Sequence, residues 1–500
     1  MPQPVSRRNA WEGPSEIDAK KYPSTNLGGT FRVLERYTAA WGTPLTSSKK
    51  DRPFLPVSIP SVSMRSKKTF LLVAAVGCLL SGCSSIGKGV TKAIIEKAEE
   101  KPTPETSFCE ITGPGFAGAA DAIKTSTPEQ PKTTRLIIVH GIGAQVAGYS
   151  ERLQRNLVMR LGLDHVDPTV KTIGLVAPPD AKTTAPNVPL GTLRMSRFTN
   201  AQRAELLTFE LTYADLLDAE RKALAFDDVS ISGKARADIN RQLKDLINSF
   251  TDPLAYNGSK GDVVRGSMLQ ALCWVARGDW DDYPTAARET CSWRDTKRNV
   301  IQNDTLLIST HSLGSRVALD TLETVGALRD SLSRDARARA GLQALDSLRD
   351  KDITLFMMAN QLPLLQSGEP PPVIAKQSDQ YCAPNAPKIK DRWFKSLSIV
   401  AFSDPNDILS YTIPQSFTAD FMDSRLCATT TNVTVSVAKA VSLAVTSMAS
   451  PQVAHTAYDN DDRVLGLMTD GLGSNQPPTG CSWLKFSEDA ATPSRVARKP

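Results

Sequence analysis

A serine hydroxyl is a useful nucleophile at neutral pH only beside a base, and the base works best when a carboxylate orients it. This chain offers the three groups in order. Ser312 sits in Thr310-His311-Ser312-Leu313-Gly314, Asp404 and Asp407 follow in Asp404-Pro405-Asn406-Asp407-Ile408-Leu409, and His455 comes later in Ala454-His455-Thr456-Ala457-Tyr458. Four histidines are present in all. His140 lies in a glycine-rich turn, His165 in a polar stretch and His311 beside the serine, which leaves His455 free to act as base. The chemistry is acyl transfer: Ser312 attacks a carbonyl carbon, His455 takes its proton, and a carboxylate holds the imidazole. The start of a helix behind Ser312 would supply free N–H groups and positive potential for the oxyanion that develops.

Such groups converge only if each sits at the carboxyl end of a strand in one sheet. The short apolar run Leu306-Leu307-Ile308 within 305–309 reads as a buried strand, and Val317, Leu322 and Val325 follow at helical spacing. Gly314 lets that helix approach the sheet closely. The run Arg135-Leu136-Ile137-Ile138-Val139 has no alternation, as expected of a parallel strand buried on both faces, and it ends in His140-Gly141-Ile142-Gly143. A helix follows, with Ser150 as N-cap, Leu153, Leu157 and Leu161 on one face, and Gly162 as its stop. A phosphate cradle is the weaker reading of this turn, because it lacks the Lys-Ser/Thr of a P-loop and the full G-x-G-x-x-G spacing. Residues 207–213 alternate as a strand. Residues 215–300 turn helical, with one apolar stripe through Ile239, Leu243, Leu246, Ile247 and Phe250 and another over 263–276. This block reads as a helical insertion, either a cap over the site or extra core packing. Residues 328–350 read as a solvated helix. Three more strands are expected at 353–358, 397–402 and 433–437.

Hydrophobic content of 41% and charged content of 22% are those of a globular chain, and 500 residues suffice for a large core. The formal charge of +6 is concentrated in residues 1–83, so the remainder has no basic excess and nucleic acid is not an expected partner. Beyond Cys83, six cysteines remain at 109, 273, 291, 382, 427 and 481. No Cys-x-x-Cys spacing suggests zinc, and no metal or cofactor is expected. Up to three disulfides are allowed. Cys273 and Cys291 flank a short loop, and Cys382 and Cys427 flank the strand before Asp404, so these two pairs are expected to bridge.

The N-terminal region carries an address rather than a fold. Met64-Arg65-Ser66-Lys67-Lys68 is a positive segment, residues 69–79 are apolar but short for a membrane span, and Leu80-Ser81-Gly82-Cys83 closes the run. This order resembles the signal peptide and lipobox of bacterial lipoproteins. The resemblance implies cleavage before Cys83, acylation of that cysteine, and anchoring in the cell envelope. Ser84, where aspartate would signal inner-membrane retention, points to the outer membrane. A signal of this type should begin a protein, so residues 1–63 are expected to be a non-native extension, with a signal at 64–82 and a lipidated N-terminus and tether at 83–134. Within that tether, a short helix is expected over 90–100.

Residues 135–470 resemble an α/β-hydrolase of the lipase/esterase kind. His140-Gly141 is similar to that family's oxyanion turn, His311-Ser312-Leu313-Gly314 to its nucleophile elbow, and Asn406-Asp407-Ile408 and His455-x-x-Tyr458 to its acid and histidine segments. Thr310 departs from the pattern, standing where the elbow usually has its first glycine. The resemblance implies an α/β fold with a doubly wound, mostly parallel sheet over 135–475, followed by a tail at 476–500. It also implies a triad of Ser312, Asp407 and His455, with the N–H groups of Ile142 and Leu313 as oxyanion donors. Asp407 is preferred to Asp404 as the acid, since a loop a few residues past the strand has the reach, while Asp404 would pin the turn. An ester or lipid substrate at a membrane is the expectation. Another acyl-transfer activity (thioesterase, peptidase or acyltransferase) and a non-catalytic scaffold with this fold are the alternatives.

Overall fold

The computed structural model describes residues 108–164, 170–179, 187–332, 339–367, 369–443, 446–473 and 477–484. The predicted extension, signal peptide, acylation site Cys83 and helix at 90–100 lie outside the described residues, as does His165.

The strands are β1 (Cys109–Thr112), β2 (Thr133–Val139), β3 (Lys171–Val176), β4 (Pro189–Thr199), β5 (Glu205–Thr212), β6 (Ala286–Glu289), β7 (Thr305–His311), β8 (Asp352–Met358), β9 (Ser396–Ser403), β10 (Ala428–Val435), β11 (Val441–Leu443), β12 (Thr446–Met448) and β13 (Ser482–Leu484). Eleven form one sheet in the order β13-β1-β10-β9-β8-β7-β2-β5-β4-β3-β6, and β11 and β12 pair separately as a hairpin. The central six, β5-β2-β7-β8-β9-β10, are all parallel. Antiparallel pairing enters only at β3–β4, β4–β5 and β1–β10. The architecture is α/β, with a large, mostly parallel mixed sheet and flanking helices.

The apolar runs are continuous because both faces of these strands are covered. Along β2, Ile137 and Val139 enter one hydrophobic core while Leu136 and Ile138 enter the other. The first core is closed by the helices Gly261–Val275 and Gly314–Leu332, the second by Glu151–Leu161 and Asp462–Asp470. The alternation in β5 conceals the same burial. Thr208 and Glu210 are interior, and Thr208 Oγ1 donates to Gln154 Oε1 at 2.8 Å. Glu210 accepts from the Gly148 and Ser150 N–H groups and from the Ser150 hydroxyl. The helix does begin after Ser150 and stop at Gly162, whose φ is 63°. The Ser150 side chain makes no cap, however, because it is spent on the carboxylate of Glu210.

The sheet reaches past 135–475 at both ends. β1 comes from the segment read as a tether and β13 from the segment read as a tail; they pair with each other, and the Cys109–Cys481 disulfide joins them. Three or four residues per strand are too few to show a period in sequence. The block 215–300 is not wholly helical, since β6 adds an edge strand beside β3. Its inner helix Gly261–Val275 is core, with Met268, Cys273 and Trp274 fully buried. Its outer helices are surface: Phe226, Ile231 and Ile247 are exposed. The side chains of Ile239, Leu243 and Leu246 lie outside what the structure describes. Residues 328–350 differ from the solvated helix expected of them. One helix ends at Leu332, another runs Arg339–Leu348, and Ala344, Leu345 and Leu348 of the latter pack into the core.

All six cysteines are paired, as Cys109–Cys481, Cys273–Cys291 and Cys382–Cys427. The first spans 372 residues and the second 18, so loop-closure entropy favours the first. Cys109→Ser/Cys481→Ser is expected to cost about 5 kcal/mol against about 3 kcal/mol for Cys273→Ser/Cys291→Ser. Urea unfolding of the two variants tests the order; a larger loss for the short loop would reverse it.

Candidate active site

β2, β7 and β9 run in the same direction, so His140, Ser312 and Asp404 emerge from one edge of the sheet. Ser312 follows the last residue of β7 and precedes the helix Gly314–Leu332. Its φ is 54°, in the left-handed region that side chains other than glycine rarely occupy. The turn is held from both sides, since Ser312 N–H donates to the Met358 carbonyl at 2.9 Å and the Ser312 carbonyl accepts from Ser315 N–H at 3.0 Å. Two glycines permit the crowding. A Cβ on Gly141 would lie 2.5 Å from Ser312 Cβ, and one on Gly314 would lie 2.7 Å from the His140 carbonyl. At position 310 a side chain fits: Thr310 is buried, and its Oγ1 donates to the Phe356 carbonyl at 3.2 Å and lies 3.3 Å from Ser315 Oγ. The turn keeps its shape with a threonine rather than a glycine two residues before Ser312.

Asp407 and His455 are together. His455 Nδ1 lies 3.0 and 2.9 Å from the two Asp407 oxygens. Because a carboxylate only accepts, Nδ1 carries the proton and Nε2 is left with its lone pair. Burial pushes the Asp407 carboxyl up, but hydrogen bonds from His455, Leu409 N–H and Ser410 outweigh it and hold the group below its ordinary value. Asp404 is elsewhere. Its Oδ1 accepts from Asn406 N–H and Nδ2, and its Oδ2 from the N–H groups of Val437 and Ala438. His455 rides on the short helix Pro451–Thr456, whose start is capped by Ser450 Oγ.

Ser312 Oγ and His455 Nε2 are both buried and both lack a hydrogen-bond partner. No hydrogen bond joins the two in this structure. Among the described residues, neither Ile142 N–H nor Leu313 N–H has an acceptor. A cavity of about 180 Å³ borders the turn, the elbow and the base segment, with His140, Gly141, Gln145, His311, Met358 and Thr456 among its lining residues. Among the described residues, no group of three or more His, Cys, Asp or Glu has metal-binding geometry.

Several groups that position the site have no obvious signal in the sequence. Tyr213 stacks on His140 at 4.0 Å; its N–H donates to His140 Nε2 and its hydroxyl to the His140 carbonyl. Asn360, two residues past the end of β8, is fully buried and brackets the acid loop, exchanging two hydrogen bonds with the Tyr411 backbone and donating its own N–H to the Phe402 carbonyl. An asparagine at the end of an apolar run was the available hint. His311 donates from Nε2 to the His455 carbonyl at 2.7 Å. Gly143 N–H donates to Asp252, far away in the helical block.

His140 is buried and His311 is half-buried, and desolvation is the main force lowering each to about 4. Unfolding returns them to an ordinary value of 6.5. Between those values the unfolded chain binds more protons, so stability is complete above about pH 6.5 and falls with pH down to about 4. The loss is on the order of 3 kcal/mol for each histidine. His311→Gln, which keeps a donor for the His455 carbonyl, should remove about half of that slope. Urea midpoints measured across this range test it, and an unchanged slope would refute the assignment.

Comparison with protein-family models, with curated proteins and with solved structures finds no match for this chain.

Proposed function

We propose that the chain is a serine ester hydrolase of the α/β-hydrolase type, with Ser312 as nucleophile, His455 as base and Asp407 as the orienting acid. The observation that carries this reading is the Asp407–His455 pair, at 2.9 and 3.0 Å, on the edge of the sheet where a serine is held at a φ of 54°. The chain order supports it, with Ser312 after β7, Asp407 two strands later and His455 after β10.

The steps follow from the protonation states. Ser312 Oγ attacks the ester carbonyl carbon while its proton passes to His455 Nε2, and the Asp407 carboxylate stabilises the imidazolium. The carbonyl oxygen becomes an oxyanion that accepts from Ile142 N–H and Leu313 N–H, each worth roughly 3–4 kcal/mol in comparable sites. The imidazolium returns the proton to the departing alkoxide, releasing the alcohol and leaving a Ser312 ester. Water then adds by the same route, giving the acid and free serine. His311, a neighbour of His455 with ring centroids 5.0 Å apart, is kept neutral by its burial, so it does not oppose the imidazolium.

The same reading places the enzyme at a bacterial envelope membrane, held by acylated Cys83, with an ester or lipid as substrate. Among the described residues no helix is long and apolar enough to cross a membrane. β1 runs antiparallel to β10, and the Phe108 carbonyl accepts from Ser436 N–H, so the chain leading from Cys83 joins the domain at the same edge as the site.

The test is labelling by a fluorophosphonate, mapped to the peptide containing Ser312, followed by hydrolysis of p-nitrophenyl esters of increasing chain length. Labelling without ester turnover would move the reading to a thioesterase, peptidase or acyltransferase. No labelling of folded protein would leave the non-catalytic scaffold, which the filled and bonded position of Thr310 does not favour.

A further inference from the structure

We infer that Asp252 and Arg221, both from the helical block 215–300, hold the oxyanion turn in place, and that Arg221 cancels a charge that would otherwise oppose the oxyanion. This rests on the acyl-transfer reading and deepens it, since it gives the helical block a task at the site.

Gly143 N–H donates to Asp252 Oδ2 at 2.7 Å. That peptide directly follows Ile142, whose N–H is the proposed donor to substrate. Fixing the Gly143 N–H therefore fixes the chain on one side of Ile142, while the Tyr213 contacts to His140 fix it on the other. The turn is clamped from two elements that do not touch Ser312 through any described hydrogen bond. Asp252 is 2% exposed, so its charge is poorly screened by water. A buried carboxylate bonded to the residue after an oxyanion donor would repel the negative charge that builds up in the transition state.

Arg221 meets that problem. Its Nη1 lies 3.1 Å from each Asp252 oxygen. Its Nη2 is bonded to the Ala214 carbonyl and to Asp218 Oδ1. Those two bonds tie the guanidinium to the segment following β5, next to Tyr213. The brace thus closes on the same strand end that holds the other side of the turn. Asp252 is a positioning residue and Arg221 its counter-charge; neither is proposed to touch the substrate.

The signature is rescue. Asp252→Asn keeps an oxygen for the Gly143 N–H but sets its NH2 group against the Arg221 Nη1 donor, so it should melt lower and lose up to about tenfold in kcat. Arg221→Met leaves the carboxylate uncompensated and should lower kcat roughly 10- to 100-fold at unchanged KM. The double variant Arg221→Met/Asp252→Asn should recover to within about fivefold of the parent. A merely structural brace would behave otherwise: the double variant would be as slow as Arg221→Met or slower, and KM and melting temperature would move with kcat. Arg221→Lys keeps the charge and one nitrogen for both Asp252 oxygens while giving up the Nη2 bonds; if the counter-charge is what matters it should stay within about fivefold of the parent, which keeps the test decisive should the methionine variant not fold.

Steady-state rates of the full chain and these four variants on a short p-nitrophenyl ester at about pH 8, with melting temperatures beside them, decide the matter. A double variant no faster than Arg221→Met, or a loss of about tenfold or more with lysine, overturns the inference. Fluorophosphonate labelling of the parent separates the two layers. An unlabelled parent removes the acyl-transfer reading and this inference together, whereas a labelled parent without rescue removes this inference alone.

Discussion

Ser312→Ala is expected to lower ester turnover by on the order of 10⁶-fold, as removal of the nucleophile does when a triad acts as a unit, and to leave the protein as stable as before or more so. The second half of this expectation is the sharper one. Ser312 Oγ is buried without a hydrogen-bond partner, and a buried hydroxyl in that state costs about 1–3 kcal/mol. Its backbone sits at a φ of 54°, which alanine neither relieves nor worsens, since both residues carry a Cβ. Deleting the oxygen removes the desolvation cost and breaks no bond, while the N–H and carbonyl contacts to Met358 and Ser315 involve the backbone alone. A serine kept for packing would show the reverse, a loss of stability with turnover unaffected. Measuring kcat and the melting temperature of one variant distinguishes the two, and Ser312→Ala with full turnover would end the triad proposal.

What the sequence made legible depends on how many faces of an element are buried. β2, β7, β8 and β9 are interior on both faces over most of their length, and each shows a run of three or four consecutive apolar residues. β4 is hidden by Arg194 and Arg197, whose charges are met by Glu151 and Glu205 and so never had to leave the sheet. β1, β6 and β13 are short strands in the outer sheet whose partners lie more than a hundred residues away in the chain. The helix Arg339–Leu348 looked solvated because the stretch 328–350 around it is dense in charge, yet Leu345 is 1% exposed. A count of charges does not reveal which face turns inward.

At the site, the legible residues are those that directly follow a strand, because topology fixes where they emerge. Ser312, the aspartates after β9 and His140 are of this kind. Tyr213 also follows its strand, but a tyrosine there gives no hint that it will stack on a histidine. Asp252 is illegible in principle from local pattern: it lies 109 residues from Gly143, in the short helix Thr251–Asn257. Local sequence carries the chemistry of the reacting atoms, whereas the groups that fix their geometry are supplied by tertiary contacts.

The choice between Asp404 and Asp407 is where that distinction gives the clearest experiment. Asp407→Asn should lower turnover by on the order of 10⁴-fold with the fold intact, as it does when the acid of such a triad is neutralised. Both Asp407 oxygens face His455 Nδ1, so an amide in that place offers a donor to a nitrogen that must itself donate. The imidazole then favours the other tautomer, with its proton on Nε2, and can no longer accept one from Ser312. The variant loses one charge-assisted contact but keeps an oxygen for Leu409 N–H, so its melting temperature should change little. Asp404 makes the opposite case. All four of its contacts are donors from the chain itself, two from Asn406 and two from the backbone after β10. Replacing one oxygen by an NH₂ group sets donor against donor at a site that is 1% exposed, at a cost of about 3 kcal/mol or more. Asp404→Asn should therefore melt lower, with turnover falling only as far as the acid loop loosens. The opposite pairing, a stable but inactive Asp404→Asn beside an active Asp407→Asn, would exchange the two roles.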